Sequence, residues 1–184
     1  LQIRMKGSHS KGFSLLELLL VLMVVGIVAV AAIPDLSSGD HHRLKLAAGE
    51  IAGAIRFARS EALRTGEPHG FQVQTTDARI RVISADTGSN PWTPRYDVEH
   101  PGDHDFYDIE LADHPYATIQ VIVRNASFHG SCNDPDMIYF DTRGTPWCGD
   151  GSGPLLEQYD LTLSFGGQSR VVSLHSITGR VTVQ

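Results

Sequence analysis

The chain has 184 residues, a formal net charge of −6 and two cysteines. This length provides one domain of ordinary size with its own hydrophobic core, in addition to a membrane segment. The acidic balance argues against nucleic-acid binding, because affinity for phosphate backbones comes largely from Lys and Arg side chains. The sequence has no CxxC pair and no zinc-type Cys/His spacing, which argues against a structural zinc site.

An apolar segment, residues 13–33, follows a short basic stretch at the N-terminus. It has roughly the 20 residues that a transmembrane helix needs. Its one charge is Glu17. A carboxylate inside a bilayer costs on the order of 2.5–3.5 kcal/mol, so we expect Glu17 to have a function and a partner. The positive-inside rule places the basic end in the cytoplasm and the rest of the chain in the periplasm or outside the cell. A cleaved secretory signal is the alternative, since residues 29–32 imitate a small-residue cleavage site.

The N-terminal sequence resembles that of a type IV prepilin, in which a basic leader ends at Gly12 and is followed by Phe13, Glu17 and an apolar run. The resemblance implies that a prepilin peptidase cleaves between Gly12 and Phe13 and that Phe13 is then N-methylated. It also implies that Glu17 pairs with a terminal Phe13 amine during filament assembly. Met5 is a candidate start, and Pro34 lies where pilins commonly carry a helix-kinking proline. Loss of the leader, with three basic residues and no acid, would change the net charge to about −9.

An amphipathic helix is predicted after Pro34. Residues 35–42 are polar and predict a loosened or broken turn at the membrane surface. Gly66, followed by a proline two residues later, predicts the end of the helix. The apolar stripe is mostly alanine, which indicates that a curved sheet packs closely against it. Apolar residues recur at helical spacing at Leu44, Ala47, Ala48, Ile51, Ile55, Ala58 and Ala62.

Three stretches resemble the GspH/FimT group of minor pseudopilins and minor pilins. Residues 56–66 read RFARSEALRTG, residues 138–144 read IYFDTRG, and residues 171–183 read VVSLHSITGRVTV. The resemblance implies a pilin-like α+β fold, in which a long N-terminal helix packs on a C-terminal antiparallel β-sheet domain. The implied organisation is a leader (1–12), a transmembrane half-helix (13–34), an amphipathic half-helix (35–66) and a periplasmic β domain (67–184). Arg59 and Glu61 are expected to lie on a solvated face, and contact with neighbouring subunits in a filament is the alternative.

The β domain is expected to contain a hairpin, a long variable loop and a disulfide bond. A turn at Asp77 and Ala78 joins the hairpin strands, and the loop at 86–116 is expected to be functional or mobile. Cys132 and Cys148 are expected to lie in an oxidising compartment, which predicts a disulfide bond between them. Closure of this loop would stabilise the fold by ~3 kcal/mol. The predicted strands are 70–76, 79–84, 117–124, Met137–Phe140, 159–165, 170–175 and 180–183, with turns at 141–144, 166–167 and 178–179.

Two groups of acidic and histidine residues are candidate metal sites, one in the 86–116 loop and one near the cysteines. Neither has the ligand spacing of an EF-hand, so no metal is predicted. The first group contains His100, Asp103, His104, Asp105, Asp108, Glu110, Asp113 and His114, and the second contains Asp134, Asp136, Asp141 and Asp150.

Three arginines, Arg143, Arg170 and Arg180, form a candidate basic patch. Some FimT-type minor pilins bind DNA during natural transformation through an arginine-containing motif near the C-terminus, so the resemblance makes DNA binding an alternative function. Here Arg180 is not followed by the second arginine of that motif. With a mature charge near −9, DNA binding is not expected.

The resemblance implies a minor subunit at or near the tip of a type II secretion pseudopilus or a type IV pilus, where it helps to initiate assembly. Expected partners are other minor and major pilins or pseudopilins, the prepilin peptidase, the inner membrane, and secreted cargo or an outer-membrane channel. The chain would wait in the bacterial inner membrane as a single-pass protein before it enters a periplasmic or surface filament. No cofactor is expected. A membrane-anchored periplasmic enzyme is the second alternative, but the sequence has neither a G-x-S-x-G elbow nor an HExxH helix.

Overall fold

A computed structural model describes residues 14–31, 37–112, 116, 119–149 and 153–184. It contains two compact units, Leu1–Leu36 and Ser37–Gln184. The predicted leader, Phe13 and Pro34 lie outside the described residues, as do Asp113, His114 and Asp150.

The first unit contains helix α1, Leu15–Ala31. The carbonyl of Ser14 accepts the N–H groups of Glu17, at 3.0 Å, and Leu18, at 3.1 Å. Ser14 therefore occupies the N-cap position, with Glu17 three residues later. The large apolar side chains described on α1 are all more than half exposed, as expected for a helix that is hydrophobic all round and is the one element described in its unit. Among the described residues, we find no helix long and apolar enough to cross a membrane.

The second unit begins with helix α2, Ser37–Thr65. The predicted broken turn over 35–42 is wrong for residues 37–42, which are helical. The polar residues there are compatible with the start of a helix. Ser side chains can accept hydrogen bonds from the free N–H groups of a first turn, and Asp interacts favourably with the positive end of the helix dipole. The predicted end of the helix is confirmed: Gly66 has a φ of +71° and donates its N–H to the carbonyl of Ala62 at 3.1 Å.

The predicted apolar stripe of α2 is confirmed. Each of its seven residues is completely buried, and Ala52 and Ala54 widen the buried face. Alanine lets strands approach the helix axis closely, and α2 packs on several β-strands. In chain order these are β1 His69–Gln74, β2 Arg79–Asp86, β3 Thr93–Arg95, β4 Asp108–Glu110, β5 Gln120–Phe128, β6 Met137–Phe140, β7 Pro146–Cys148, β8 Leu156–Phe165, β9 Gln168–His175 and β10 Val181–Val183.

The strands form two antiparallel sheets rather than one curved sheet. The larger has the order β3-β2-β1-β6-β7, with β4 also paired to β2, and the smaller has the order β10-β9-β8-β5. The predicted hairpin is β1–β2, and its turn spans residues 75–78 instead of two residues. The predicted strand Met137–Phe140 has the bounds of β6. Strands β5, β8 and β9 extend beyond their predicted bounds, and β7 was not predicted.

The prediction of one long loop over 86–116 is wrong in part. Strands β3 and β4 within it pair with opposite ends of β2, and Glu99 forms a bridge with Phe106. Apolar side chains anchor the segment, because Val98, Tyr107, Ile109 and Leu111 are buried in the core. The segment is therefore an extension of the larger sheet.

The predicted disulfide between Cys132 and Cys148 is confirmed, with a Cα–Cα distance of 5.7 Å. It joins the end of β7 to the loop that follows β5. Because that loop runs from β5 in the smaller sheet to β6 in the larger, the bond ties the connection between the two sheets to β7.

Candidate functional site

The first candidate site is Glu17 on α1. Its side chain is exposed and lies among exposed leucines, including Leu16 and Leu18. The spacing of Ser14 and Glu17 is that of a capping box, so Glu17 also suits a local role at the helix start. Its predicted partner group, the amine of Phe13, lies outside the described residues, as does the predicted cleavage site between Gly12 and Phe13.

The second candidate site is built around Arg59 on α2. The Arg59 Nε donates to the main-chain carbonyl of Gly144 at 3.2 Å. A Cβ atom on Gly144 would lie 2.9 Å from Arg59 Nε, and one on Gly179 would lie 2.7 Å from the same atom. The Arg59 side chain is thus held between two glycine turns, each with a positive φ. The expectation of a solvated face is wrong for Arg59, because its spacing relative to the buried stripe brings it against these turns.

Arg56, one turn earlier on α2, contacts the same region. Its Nη2 donates to the carbonyl of Val181 at 3.1 Å. Arg56 and Arg59 line an open hollow of about 420 Å³ together with Gly179, Arg180 and Val181. We call this feature the arginine hollow.

The structure brings together two of the three predicted patch arginines. Arg143 and Arg180 are exposed and flank Gly144 and Gly179, the glycines that meet at Arg59. Arg170 lies elsewhere, where its Nη2 donates to His41 Nε2 at 2.8 Å. At ~3.3 Å per residue, Arg170 is roughly 17 Å along β9 from His175, whose N–H donates to the carbonyl of Arg180.

Arg56 and Arg59 were missed as site residues by the sequence interpretation. Their spacing of three places them on neighbouring turns of one helix face, which was available as a signal. The glycines of ITGR and DTRG indicated turns, but nothing in the sequence indicated that both turns meet the helix at Arg59.

A polar groove of about 570 Å³ lies between the end of α2 and the 93–104 segment. Ser84 Oγ, at its floor, donates to Asp97 at 2.5 Å and accepts from Arg95 Nε at 3.2 Å. At its rim, hydrogen bonds from Arg64 lower the pKa of Glu61. Its cationic and anionic groups largely pair with each other.

Several of the candidate metal ligands that the structure describes have other partners. Asp108 pairs with Arg79 and Arg81, and His100 with Asp103. Asp141 accepts from the N–H groups of Arg143 and Thr145 and from the Trp147 indole. In the part of the chain that the structure describes, no three His, Cys, Asp or Glu residues are grouped as metal ligands.

Asp136, another residue of the second candidate group, is partly buried. Its pKa is raised by burial and by the nearby Asp134 carboxylate. Its backbone N–H donates to Asp134 Oδ1 at 3.2 Å, so this pair also has a local structural use.

Solved structures of low sequence identity share the fold. The minor pseudopilin EpsH from the type 2 secretion system of Vibrio cholerae superposes with a TM-score of 0.52 at 12% identity, over 77% of this chain and 96% of that one. The solution structure of Escherichia coli GspH gives a TM-score of 0.50 at 13% identity, over 82% and 94% of the two chains.

Sequence relatives cover different shares of the chain. The type II secretion system protein H of Xanthomonas campestris is 34% identical over 44% of this chain and 48% of its own length. The corresponding protein H of Vibrio cholerae is 29% identical over 45% of this chain and 44% of its own length. The matches thus span about half the length of these two relatives. The pilin-like protein PilA1 of Thermus thermophilus is 31% identical over 95% of this chain and 98% of that protein.

Two family models match separate parts of the chain. The prokaryotic N-terminal methylation motif matches residues 7–33. The model of type II transport protein GspH matches residues 47–178, which include α2 from Ala47 onward, strands β1–β9 and the Gly144 turn, whereas Gly179 and β10 lie beyond the match. The chain therefore belongs to the GspH family of pilin-like proteins.

Proposed function

We propose that this chain is a minor pseudopilin, a structural subunit of the filament of a type II secretion system. Membership of the GspH family makes it a structural subunit and not an enzyme. The observation that carries the proposal is α1, a helix with exposed apolar side chains all round and one acidic residue near its start. Such a helix requires an apolar environment, which a membrane and then the helices of neighbouring subunits provide.

The processing route is part of the proposal. The leader directs the chain to the inner membrane, and the prepilin peptidase cleaves between Gly12 and Phe13 and methylates Phe13. Support comes from the match of residues 7–33 to the methylation motif. Residues 37–184 then lie in the periplasm, where the Cys132–Cys148 bond can form.

Assembly follows from the chemistry of Glu17. A carboxylate within an apolar bundle is stabilised only if its charge is paired, and a neighbouring subunit's methylated Phe13 amine supplies the opposite charge. We propose that this pairing admits the subunit to the filament at or near its tip, with other minor and major pseudopilins. The periplasmic unit would then face partners, secreted cargo or the outer-membrane channel.

A minor subunit of a type IV pilus is the second candidate function. Its specific support is the 31% identity to the pilin-like protein PilA1 over 98% of that protein. Identity to the two H proteins covers about half of each, so the two systems must be separated by experiment.

Deletion of the gene in its host distinguishes the two candidates. For a pseudopilin, proteins normally released to the medium should accumulate in the periplasm, while surface pili remain. Re-expression of the full chain should restore secretion. Unchanged secretion with loss of pili would contradict the proposal and favour the pilus alternative.

Mass spectrometry of the purified protein tests the processing step. We expect a mature chain that begins with N-methylated Phe13, and the uncleaved chain in a host without prepilin peptidase. A mature terminus near residues 29–32 would instead indicate an ordinary secretory signal.

A further inference from the structure

We infer that the arginine hollow is a docking site for a protein segment that carries carboxylates beside an apolar side chain. This inference concerns the surface of the second unit. It holds for either filament system, and it does not depend on the role of Glu17.

The first observation is uncompensated positive charge. Arg56, Arg59 and Arg180 line the hollow, and none of them forms an ion pair with a carboxylate within the described part of the chain. Arg143 precedes Gly144 in the adjoining turn and is exposed. The nearest acid in sequence to Arg143, Asp141, is occupied by two backbone N–H groups and an indole N–H. In a chain with a net charge of −6, this concentration of unpaired cations indicates an anionic partner.

The second observation is that two of the guanidinium groups are held in place. Arg56 is fixed by its bond to the Val181 carbonyl and Arg59 by its bond to the Gly144 carbonyl. Each uses one of five N–H donors for this, so most donors remain for a partner. Fixed guanidinium groups lose less conformational entropy on binding and suit the two oxygens of a carboxylate. Arg180 makes no side-chain hydrogen bond to any described residue, which leaves its whole donor set available.

The third observation is an apolar residue beside the hollow. Ile177 is 86% exposed, in the turn between β9 and β10, and it lines a second hollow of about 340 Å³ that also includes Arg180. A partner that covers an exposed isoleucine stabilises the complex by about 25 cal/mol per Å² of apolar area removed from water. The matching surface therefore has an apolar side chain placed next to acidic ones.

These observations favour protein over nucleic acid. Among the described residues, no Phe, Tyr or Trp side chain lines either hollow, and the one ring there is the His175 imidazole, so the hollows have no row of aromatic rings on which successive bases could stack. The cations form one compact cluster rather than a track along a backbone, and the net charge of the chain repels a polyanion. Ile177 would contribute little to contact with phosphates.

The test uses the full chain in detergent micelles and three fluorescent probes. The first is a peptide with glutamates flanking a central leucine, the second has glutamines in their place, and the third is a DNA duplex of the same total charge. We expect saturable binding of the acidic peptide, weaker binding of the glutamine peptide, and binding of DNA only at higher concentration. Tighter binding of DNA than of the acidic peptide, or no saturable binding of that peptide, would overturn the inference.

Two variants assign the binding to the hollow. Arg180→Ala should weaken acidic-peptide binding about tenfold, since a charged hydrogen bond is lost, and Ile177→Ser should weaken it several-fold. Both residues are exposed, so their replacement should leave the melting temperature unchanged. Arg170→Ala causes the same change in net charge outside the hollow and should leave peptide binding unchanged. Equal losses from Arg170→Ala and Arg180→Ala would show non-specific charge attraction and contradict the inference.

Discussion

The Nε of Arg59 donates a hydrogen bond to the carbonyl of Gly144, 85 residues further along the chain. A Cβ on Gly179 would lie 2.7 Å from both the Arg59 Nε and the Gly144 carbonyl oxygen. One helix side chain thus connects α2, the turn after β6 and the turn before β10. This contact positions the arginines of the hollow relative to one another.

Replacement of Gly179 by alanine is expected to destabilise the fold strongly. Gly179 has a φ of +59°, and its Cβ would also meet a main-chain oxygen that cannot rotate away. Gly167→Ala is the matched control, because Gly167 has a φ of +77° but open space around it. Gly167→Ala should lower the free energy of unfolding by about 1–2 kcal/mol through backbone conformation alone. Gly179→Ala should lower it by more. Urea denaturation measures both, and equal losses would contradict the close contact with Arg59.

Replacement of Tyr139 or Tyr159 by phenylalanine is expected to preserve or raise stability. Both hydroxyl groups are buried, and neither has a hydrogen-bond partner among the described residues. Burial of an unpaired hydroxyl costs about 1–3 kcal/mol on the scale of protein mutations, so its removal relieves that cost. Tyr116→Phe is the contrasting variant, because the Tyr116 hydroxyl donates to Glu50. The Tyr116→Phe replacement should lower the free energy of unfolding by about 0.5–1.5 kcal/mol. Loss of stability in both core variants would point to an unseen partner for these hydroxyls.

Stability is expected to fall at alkaline pH. Burial raises the pKa of Tyr139 and of Tyr159, and burial together with the bond to Glu50 raises the pKa of Tyr116 to about 12. The folded state keeps these protons while the unfolded chain releases them near pH 10, so the stabilisation is full below about pH 10 and decreases above it. Each tyrosine contributes a slope of about 1.4 kcal/mol per pH unit. Urea denaturation from pH 9 to 11 should show this decrease, with a smaller slope for Tyr159→Phe. A flat profile would contradict burial of these groups.

Reduction of the Cys132–Cys148 bond is expected to lower the free energy of unfolding by ~3 kcal/mol. The two cysteines are 16 residues apart, and opening this loop increases the entropy of the unfolded chain. Thermal melting with and without dithiothreitol measures the effect. A Cys132→Ser/Cys148→Ser double variant should melt low in both conditions. If dithiothreitol also lowered the melting temperature of that variant, the effect of the reductant would not come from the disulfide.

The sequence predicted the elements whose signal is local and periodic. The alanine-rich stripe and Gly66 define α2, since its buried face repeats at helical spacing over several turns. Strands β3 and β4 were missed because each has three residues, and such short strands exist only through their pairing with β2. The contacts of Arg59 also depend on tertiary structure, because the two turns that it contacts are distant from it in sequence. The sequence alone therefore predicts a solvated face there. The role of Glu17 stays a prediction, which rests on its contiguous sequence pattern with Gly12 and Phe13.

We propose that the subunit enters a filament through α1, with Glu17 paired to a neighbouring subunit. This pairing is tested by the amount of the mature protein in sheared filament fractions for wild type, Glu17→Ala and Ser14→Ala. We expect normal processing of all three, wild-type and Ser14→Ala protein in filaments, and Glu17→Ala protein only in the membrane fraction. Equal incorporation of Glu17→Ala would contradict the claim, and an equal defect in Ser14→Ala would show that Glu17 acts only as a helix cap.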